Sequence, residues 1–200
     1  MNVFIVNGNG LYASMFKNRG WKVVDDINKA NLIQFTGGED VDPNLYGEAP
    51  HPETFVNKMR DKVEQQIYNK VKNKIPMTGI CRGGQFLHVM NGGQMFQNVN
   101  NHGRSHKVRI KGEDIICSST HHQMMRMYNP DVEILGYCFE STKKEYVRFD
   151  GKVDEYVGDD EDIEVLFYPN SSCLCFQPHP EFYQDECQDV YFNLIHKLLI

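Results

Sequence analysis

A chain of 200 residues should bury about 70% of its unfolded surface, so residues 1–200 can fold as a single domain without disulfide or metal staples. Its 27 acidic and 21 basic residues give a formal net charge of -6, which offers no footprint for nucleic acid or an anionic membrane. No apolar run approaches the ~18 residues of a membrane span, and no basic segment precedes the first apolar run. We therefore expect a cytoplasmic protein whose partner is a small molecule or another protein.

The first half of the chain alternates between short apolar runs and one long amphipathic segment. Residues 3–6, 32–35 and 76–80 each predict a buried strand. Between residues 52 and 73, apolar residues recur every three or four positions, which predicts a helix that packs on a sheet. The predicted buried face consists of Val56, Met59, Val63, Ile67 and Val71. Alternating strands and helices favour a parallel sheet with helices on both faces.

The second half of the chain has a different composition. Residues 85–90 predict the start of a helix, which the following Asn-Gly pair ends. Residues 107–175 are rich in β-branched and aromatic side chains, which predicts short, partly antiparallel strands. The acidic run at 158–162 is predicted to be an exposed hairpin tip, because it lacks the ligand spacing of a calcium loop. Residues 187–199 place their apolar side chains on one stripe, which predicts a docking helix.

Cysteine and histidine are frequent enough to raise the questions of disulfides and metals. The six cysteines are scattered and include no Cys-x-x-Cys pair, which indicates free, buried thiols. Histidines at positions 102, 106, 121 and 122 invite a metal, but none pairs with a carboxylate in the helical pattern of a zinc site. We expect neither a metal ion nor a cofactor.

One cysteine lies in a motif that can carry chemistry. The segment 79–84, Gly-Ile-Cys-Arg-Gly-Gly, lies where a predicted strand must turn sharply into a helix, with Cys81 at the apex. Flanking glycines permit a strained turn, and the N-terminus of the following helix favours a thiolate and offers backbone donors to a developing oxyanion. A cysteine between glycines could equally be a small apolar side chain in a tight turn. The motif alone leaves both interpretations open.

A second segment, Gln-Pro-His-Pro-Glu at 177–181, could supply the base. In an extended chain His179 and Glu181 point the same way, so one could accept the thiol proton while the other orients the imidazole. Alone, the segment could be a solvated loop. Together with Cys81 and the amides of Gly37 and Gly38 at another strand end, it completes a set of nucleophile, base, orienting acid and oxyanion donors.

Six segments of the chain resemble, in the same order, the class I glutamine amidotransferase-like proteins. The resemblance is closest to the γ-glutamyl hydrolases of the peptidase C26 group, which include γ-glutamyl-γ-aminobutyrate hydrolases. The matching segments are residues 36–48, Arg60-Asp61 with Glu64, 79–85, 91–98, 119–123 and 177–181. The resemblance implies one α/β domain with a flavodoxin-like sandwich: a mostly parallel central sheet, helices on both faces and a small antiparallel β extension.

The resemblance also implies roles for the residues of the two catalytic segments. Cys81 would attack a γ-carbonyl, His179 would shuttle the proton and Glu181 would hold the imidazole. The amide of Arg82 and one of the Gly37-Gly38 turn would form the oxyanion hole.

A glutamyl pocket is implied as well. Gln85 and the His121-His122 segment would line it, although adjacent side chains in an extended chain point to opposite faces, so at most one imidazole can enter. Two departures from the family flank the site and bear on substrate preference: Pro178 replaces a common Trp, and Thr36 replaces a Pro. Segment 138–165 matches the family poorly, which favours a tolerated surface insertion over a leaving-group site.

Three functions are compatible with these residues. The first is hydrolysis of a small-molecule γ-glutamyl substrate through a thioester on Cys81. The second is a glutaminase subunit that delivers ammonia to a separate synthetase, since the sequence has no complete ATP loop of its own. The third is a non-catalytic binding module. The protein partners that we consider are a synthetase or further copies of the chain.

Overall fold

The computed structural model describes residues 1–8, 10–126, 131–158 and 161–200. The strands of these residues are β1 (Asn2–Val6), β2 (Lys22–Val23), β3 (Leu32–Phe35), β4 (Met77–Ile80), β5 (Gln94–Phe96), β6 (Asn98–Val99), β7 (His106–Ile110), β8 (Glu113–Cys117), β9 (Met124–Arg126), β10 (Glu133–Cys138), β11 (Lys144–Val147), β12 (Val153–Glu155), β13 (Asp162–Tyr168) and β14 (Cys173–Phe176). The helices are α1 (Gly10–Asn18), α2 (Lys58–Val71), α3 (Arg82–Met90) and α4 (Glu186–Leu198). Within these described ranges, every helix is too short or too polar to cross a membrane.

A continuous sheet of 11 strands forms the centre of the fold. Its parallel part runs in the order β2-β1-β3-β4-β14, which is the flavodoxin-like order with β14 in the fifth place. Beyond β14 the sheet continues antiparallel through β13, β10, β7 and β8; β9 also pairs with β13, and β5 pairs with β9. Strands β12, β11 and β6 form a second, antiparallel sheet. The predicted α/β fold is confirmed, and its antiparallel extension is continuous with the central sheet.

Side-chain alternation along the parallel strands divides the core into two layers. In β1, Val3 and Ile5 pack into the layer that contains α1 and α4, whereas Phe4 and Val6 pack into the layer that contains α2 and α3. Trp21 lies in the first layer, where its ring meets Phe16 edge-on with centroids 5.5 Å apart. Helices therefore cover both faces of the parallel sheet, as the sequence predicts.

Helix α2 buries only part of the face that its apolar pattern predicts. Met59 is 71% exposed, whereas Asp61 and Glu64 are buried. Both carboxylates form ion pairs with the buried guanidinium of Arg82. The prediction is confirmed for Val71 and Ile67, which pack in the core, and wrong for Met59 and Val63, because the paired carboxylates face the sheet in their place.

The antiparallel half confirms one expectation and corrects two. All six cysteines are free and buried, as predicted. The sequence predicts Asp162 in an exposed acidic tip, yet it is fully buried, and positions 159–160 of that run lie outside the described residues. Asp162 is buried because Lys144 pairs with it, Nζ to Oδ1, at 2.8 Å. Segment 138–165 is therefore not wholly a surface insertion, because it contributes this buried ion pair to the core.

Candidate active site

Cys81 lies at the junction of β4 and α3, where the chain reverses with no intervening loop. Its backbone has φ 52° and ψ -117°, a conformation that residues with a side chain rarely adopt. A Cβ on Gly83 would lie 2.5 Å from the carbonyl carbon of Phe35, and one on Gly79 would lie 2.2 Å from that of Gly83. Glycine is required at both positions because β3, β4 and α3 approach so closely. Helix α3 consequently begins at Arg82, earlier than the predicted Gln85.

His179 follows β14, the neighbour of β4 in the sheet. Its Nδ1 lies 2.7 Å from Oε1 of Glu181, and both side chains are buried. The backbone amide of His179 donates to the carbonyl of Ser118 at 2.9 Å. The ring of Phe182 stacks on the imidazole with an interplanar angle of 1° and centroids 4.5 Å apart. The contacts with Glu181, Ser118 and Phe182 thus fix the position and the orientation of the imidazole.

The electrostatics of His179 favour its charged form. Burial alone would lower the pKa of His179, but the neighbouring Cys81 and Glu181 groups raise it to about 10. An imidazolium at this position neutralises a thiolate. Such a pair is the reactive form of a cysteine nucleophile.

The turn after β3 faces the same thiol. The amide of Gly37 donates to the hydroxyl of Tyr12 at 2.9 Å, so this amide is already occupied. Gly38 lines the cavity beside Cys81, and Arg60 holds the turn by donating to the carbonyl of Thr36 at 2.8 Å. Of the two predicted glycine donors, Gly38 therefore fits an oxyanion hole better than Gly37. The other predicted donor, the Arg82 amide, opens α3, while its side chain turns away towards α2.

A cavity of about 320 Å³ opens beside Cys81 and His179. It is lined by Gly38, Glu39, Asp40, Phe55, Cys81, Arg82, Gln85, Thr120, His121, His122, Gln123 and His179. The fold thus brings together the predicted nucleophile, base and pocket residues, with Gly37 and Glu181 in the layer behind them.

The predicted pocket residues differ in what they present to the cavity. Gln85 Nε2 donates to the carbonyl of Gln123 and to Oε1 of Gln177, each at 3.0 Å. His121 is buried, and its two nitrogens face the Gln123 carbonyl at 2.9 Å and Glu164 at 3.4 Å. His122 is half-exposed, and its Nε2 lies 3.2 Å from Oδ1 of Asp40. Both histidines line the cavity, and the His122 side chain is the more exposed of the two.

Three residues near the base escape prediction from the sequence. Thr120 Oγ1 lies 2.9 Å from Nε2 of His179, on the face that Cys81 shares, and it belongs to the matching segment 119–123. Phe182, which stacks on the imidazole, directly follows the predicted acid. Tyr12 gives no signal, since it lies on the apolar face of α1; burial and the nearby Glu181 raise its pKa, so it stays a protonated donor.

Known proteins resemble this chain in both sequence and fold. The family model of peptidase C26 matches residues 17–134, which is more than half of the chain and includes Cys81 but ends before His179. A candidate glutamine amidotransferase of Schizosaccharomyces pombe is 34% identical over 128 residues, which are 55% of this chain and 51% of that protein. The chain spans about half the length of the curated relatives it matches.

Solved structures share the fold over nearly the whole chain. A candidate subunit of GMP synthase from Thermoplasma acidophilum superposes with a TM-score of 0.65 at 15% identity, covering 98% of this chain and 92% of that one. A glutamine amidotransferase of Thermotoga maritima gives a TM-score of 0.59 at 11% identity, with coverage of 98% and 84%. At these identities the likeness concerns the fold, whereas the family match rests on sequence. The chain belongs to the peptidase C26 family.

Proposed function

We propose that this protein hydrolyses a γ-glutamyl amide, either glutamine or a γ-glutamyl amine, through a thioester on Cys81. One observation carries the proposal: Cys81 occupies a strained turn and lines the same cavity as His179, whose Nδ1 lies 2.7 Å from Oε1 of Glu181. Membership of the peptidase C26 family and the names of the relatives support an amide of glutamate as the substrate class.

In the proposed acylation, the Cys81 thiolate attacks the γ-carbonyl carbon and forms a C–S bond. The carbonyl oxygen becomes an oxyanion that accepts hydrogen bonds from the amides of Gly38 and Arg82. The imidazolium of His179 then protonates the amide nitrogen, the C–N bond breaks and the amine leaves. Glu181 keeps the imidazole in the tautomer that this transfer needs.

In the proposed deacylation, neutral His179 takes a proton from water, and the hydroxide attacks the thioester carbonyl. The C–S bond breaks, glutamate leaves and the Cys81 thiolate is regenerated beside a protonated imidazole. Thr120, which hydrogen-bonds the same Nε2, is suited to hold the imidazole or the water between these steps.

A covalent trap tests the nucleophile directly. Treatment with a glutamine-like electrophile should add one adduct by intact mass, and peptide mapping should place it on Cys81. Cys81→Ala should remain unmodified. Cys173→Ala, which removes a buried thiol in the other core layer, should label like the wild type. Unmodified wild-type protein, or an adduct on another cysteine, would contradict the proposal.

The amine side of the substrate is tested by turnover. Glutamine, γ-glutamyl-aminobutyrate and poly-γ-glutamates should be compared with purified protein, with release of glutamate as the readout. Hydrolysis of at least one at a rate that disappears in Cys81→Ala supports a stand-alone hydrolase.

A glutaminase subunit is the second candidate, and exposed aromatic side chains favour it. Phe55 lines the cavity and is 69% exposed, and Phe182 stacks on His179 and is 40% exposed. Exposed aromatic side chains beside the site suit a surface that a protein partner covers. The fold relative named as part of a GMP synthase is of similar length. If glutaminase activity arises only when a synthetase is added, this candidate replaces the hydrolase.

We also propose a cytoplasmic location. Its support is chemical: the six cysteines are free, which suits a reducing compartment. Fractionation of cells that express the protein, followed by immunodetection, tests it.

A further inference from the structure

A second cluster of chemically reactive side chains lies in the antiparallel half, behind the pocket wall. His102, His106, Cys138 and Glu164 are all buried, and one nitrogen, sulfur or oxygen atom of each lies within 4.8 Å of the others. They come from four separate places: the segment after β6, the start of β7, the end of β10 and the middle of β13. The mechanism proposed above uses none of them.

Three distances within this cluster are close to the edges of a tetrahedral metal site. Oε1 of Glu164 lies 3.2 Å from Nδ1 of His102, 3.3 Å from Nε2 of His106 and 3.7 Å from Sγ of Cys138. Zinc ligands at 2.0–2.3 Å in a tetrahedron are about 3.3–3.7 Å apart. The other pairs of ligand atoms lie within 4.8 Å of one another, so side-chain shifts of about 1 Å would bring all four around one ion.

The outward nitrogens of the two imidazoles are already engaged. His102 directs Nε2 to Oδ2 of Asp162 at 3.2 Å, and His106 directs Nδ1 to the carbonyl of Arg104 at 3.1 Å. A metal-ligating histidine typically gives its second N–H to a carboxylate or a backbone carbonyl in this way. Asp162 is itself oriented by the amides of Glu140 and Ser141, at 2.8 and 2.7 Å.

The inward nitrogens then present lone pairs to a carboxylate. When the outward nitrogen carries the proton, Nδ1 of His102 and Nε2 of His106 both face Oε1 of Glu164 as acceptors. Nδ1 of His102 and Oε2 of Glu164 have no hydrogen-bond partner among the described residues. His121 repeats the pattern from the pocket side, with Nδ1 on the Gln123 carbonyl and Nε2 3.4 Å from the same Glu164 oxygen. Buried acceptors that converge in this way need either a metal ion or added protons between them.

We propose that His102, His106, Cys138 and Glu164 bind one zinc ion in a structural site. Two imidazoles, a thiolate and a carboxylate form a donor set that suits Zn²⁺ and does not suit Mg²⁺ or Ca²⁺. Four protein ligands leave no open position for a substrate, so the ion stabilises the fold and takes no part in turnover. The sequence pattern of a zinc helix is absent because each ligand comes from a different strand or loop.

The position of this site links it to the pocket wall. Ser119 Oγ donates to the carbonyl of His102 at 2.6 Å, and His121 contacts Glu164. The segment that carries Thr120 therefore rests on the proposed ligands. Loss of the ion should loosen this wall, but the test below measures metal and stability, so it does not depend on the proposed hydrolase activity.

Metal analysis of the whole protein tests the proposal. The chain should be produced in zinc-supplemented medium, freed of any histidine tag and measured by plasma mass spectrometry. We expect one zinc ion per chain in the wild type and in the control Cys173→Ser, and substoichiometric zinc in Cys138→Ser and His106→Gln. A strong chelator should lower the Tm of the wild type, and added Zn²⁺ should restore it.

Cobalt substitution keeps the test decisive if a variant fails to fold. Wild-type protein loaded with Co²⁺ should show the intense visible bands of a tetrahedral site and a thiolate-to-cobalt charge-transfer band. Cys138→Ser should lose the charge-transfer band.

The alternative to a metal is an ion-pair network in which the histidines are protonated and pair with the carboxylates. Burial lowers the pKa of His102, but hydrogen bonds to Asp162 and Glu164 raise it to about 9. Metal-free wild type, with no cobalt bands and a Tm insensitive to chelator and to Zn²⁺, would establish that network and overturn the zinc site.

Discussion

Cys81 is held in its unusual backbone conformation by contacts that involve no catalytic side chain. The amide of Cys81 donates to the carbonyl of Phe176 at 2.8 Å, and Gly79 and Gly83 permit the close approach of three backbone segments. Strain of this kind persists only where the surrounding structure fixes it. At the scale of the residue, the site is therefore built from backbone geometry first, with His179 and Glu181 added from the segment that follows the neighbouring strand β14.

Substitution of the base and of the acid should separate their roles. His179→Ala should lower kcat for a γ-glutamyl amide by about 10²–10⁴-fold, because it removes the group that transfers the proton. Glu181→Gln should lose less, because the amide oxygen can still accept from Nδ1 and only the orienting charge is lost. The readout is kcat and KM from steady-state release of glutamate. Equal activity of both variants and the wild type would refute the triad.

At the scale of the element, α2 shows how a buried charge network can override an apolar pattern. Arg82 reaches across from α3 to Asp61 and Glu64, and Arg60 pairs with Glu64, Nε to Oε1, at 2.8 Å. Burial raises the pKa of Asp61, although Arg82 opposes this rise. The sequence shows the apolar spacing of this helix, but not that a guanidinium from the next helix compensates its carboxylates.

Removal of Arg82 tests the importance of this network. Arg82→Met should lower the free energy of unfolding by about 3–5 kcal/mol, because it removes the ion pair of the buried Asp61 and one of the two that the buried Glu64 makes. The matched control Met59→Gln, on the exposed side of α2, should change it by less than about 0.5 kcal/mol. Urea denaturation measures both values. A larger effect for Met59→Gln than for Arg82→Met would restore the face that the apolar pattern predicts.

At the scale of the whole molecule, the sequence predicts several elements of the parallel half and the presence of short antiparallel strands, but not how those strands pair. Strand β3 has the predicted bounds, β4 and α4 lie within a residue of theirs, and Gly92 ends α3 with φ 85°. These elements have local signals: apolar runs, one amphipathic stripe and a glycine stop. The pairing of β7, β10 and β13 depends on partners far apart in the chain, and so does the gathering of His102, Cys138 and Glu164. Periodicity cannot show such long-range pairing, so the histidine spacing predicts no metal site.

The raised pKa of His179 predicts how stability depends on pH. This group has an ordinary pKa of 6.5 and a folded value of about 10, so its stabilising contribution is complete below pH 6.5 and is lost as the pH rises through about 10. The difference in free energy of unfolding between the wild type and His179→Gln should therefore shrink from pH 6 towards pH 10. Urea denaturation at several pH values measures it. A difference that is constant or grows with pH would show that His179 is neutral in the folded protein.

The place of β14 in the sheet also determines when the site can exist during synthesis. Strand β14 lies between β4 and β13, so β4 has an unpaired edge while the ribosome makes β5 to β13. Throughout that interval the Cys81 thiol has no imidazole beside it, because His179 follows β14. Insertion of β14 closes the exposed edge and brings the base to the thiol in one event, so a nascent chain that has not finished its sheet carries an inert cysteine.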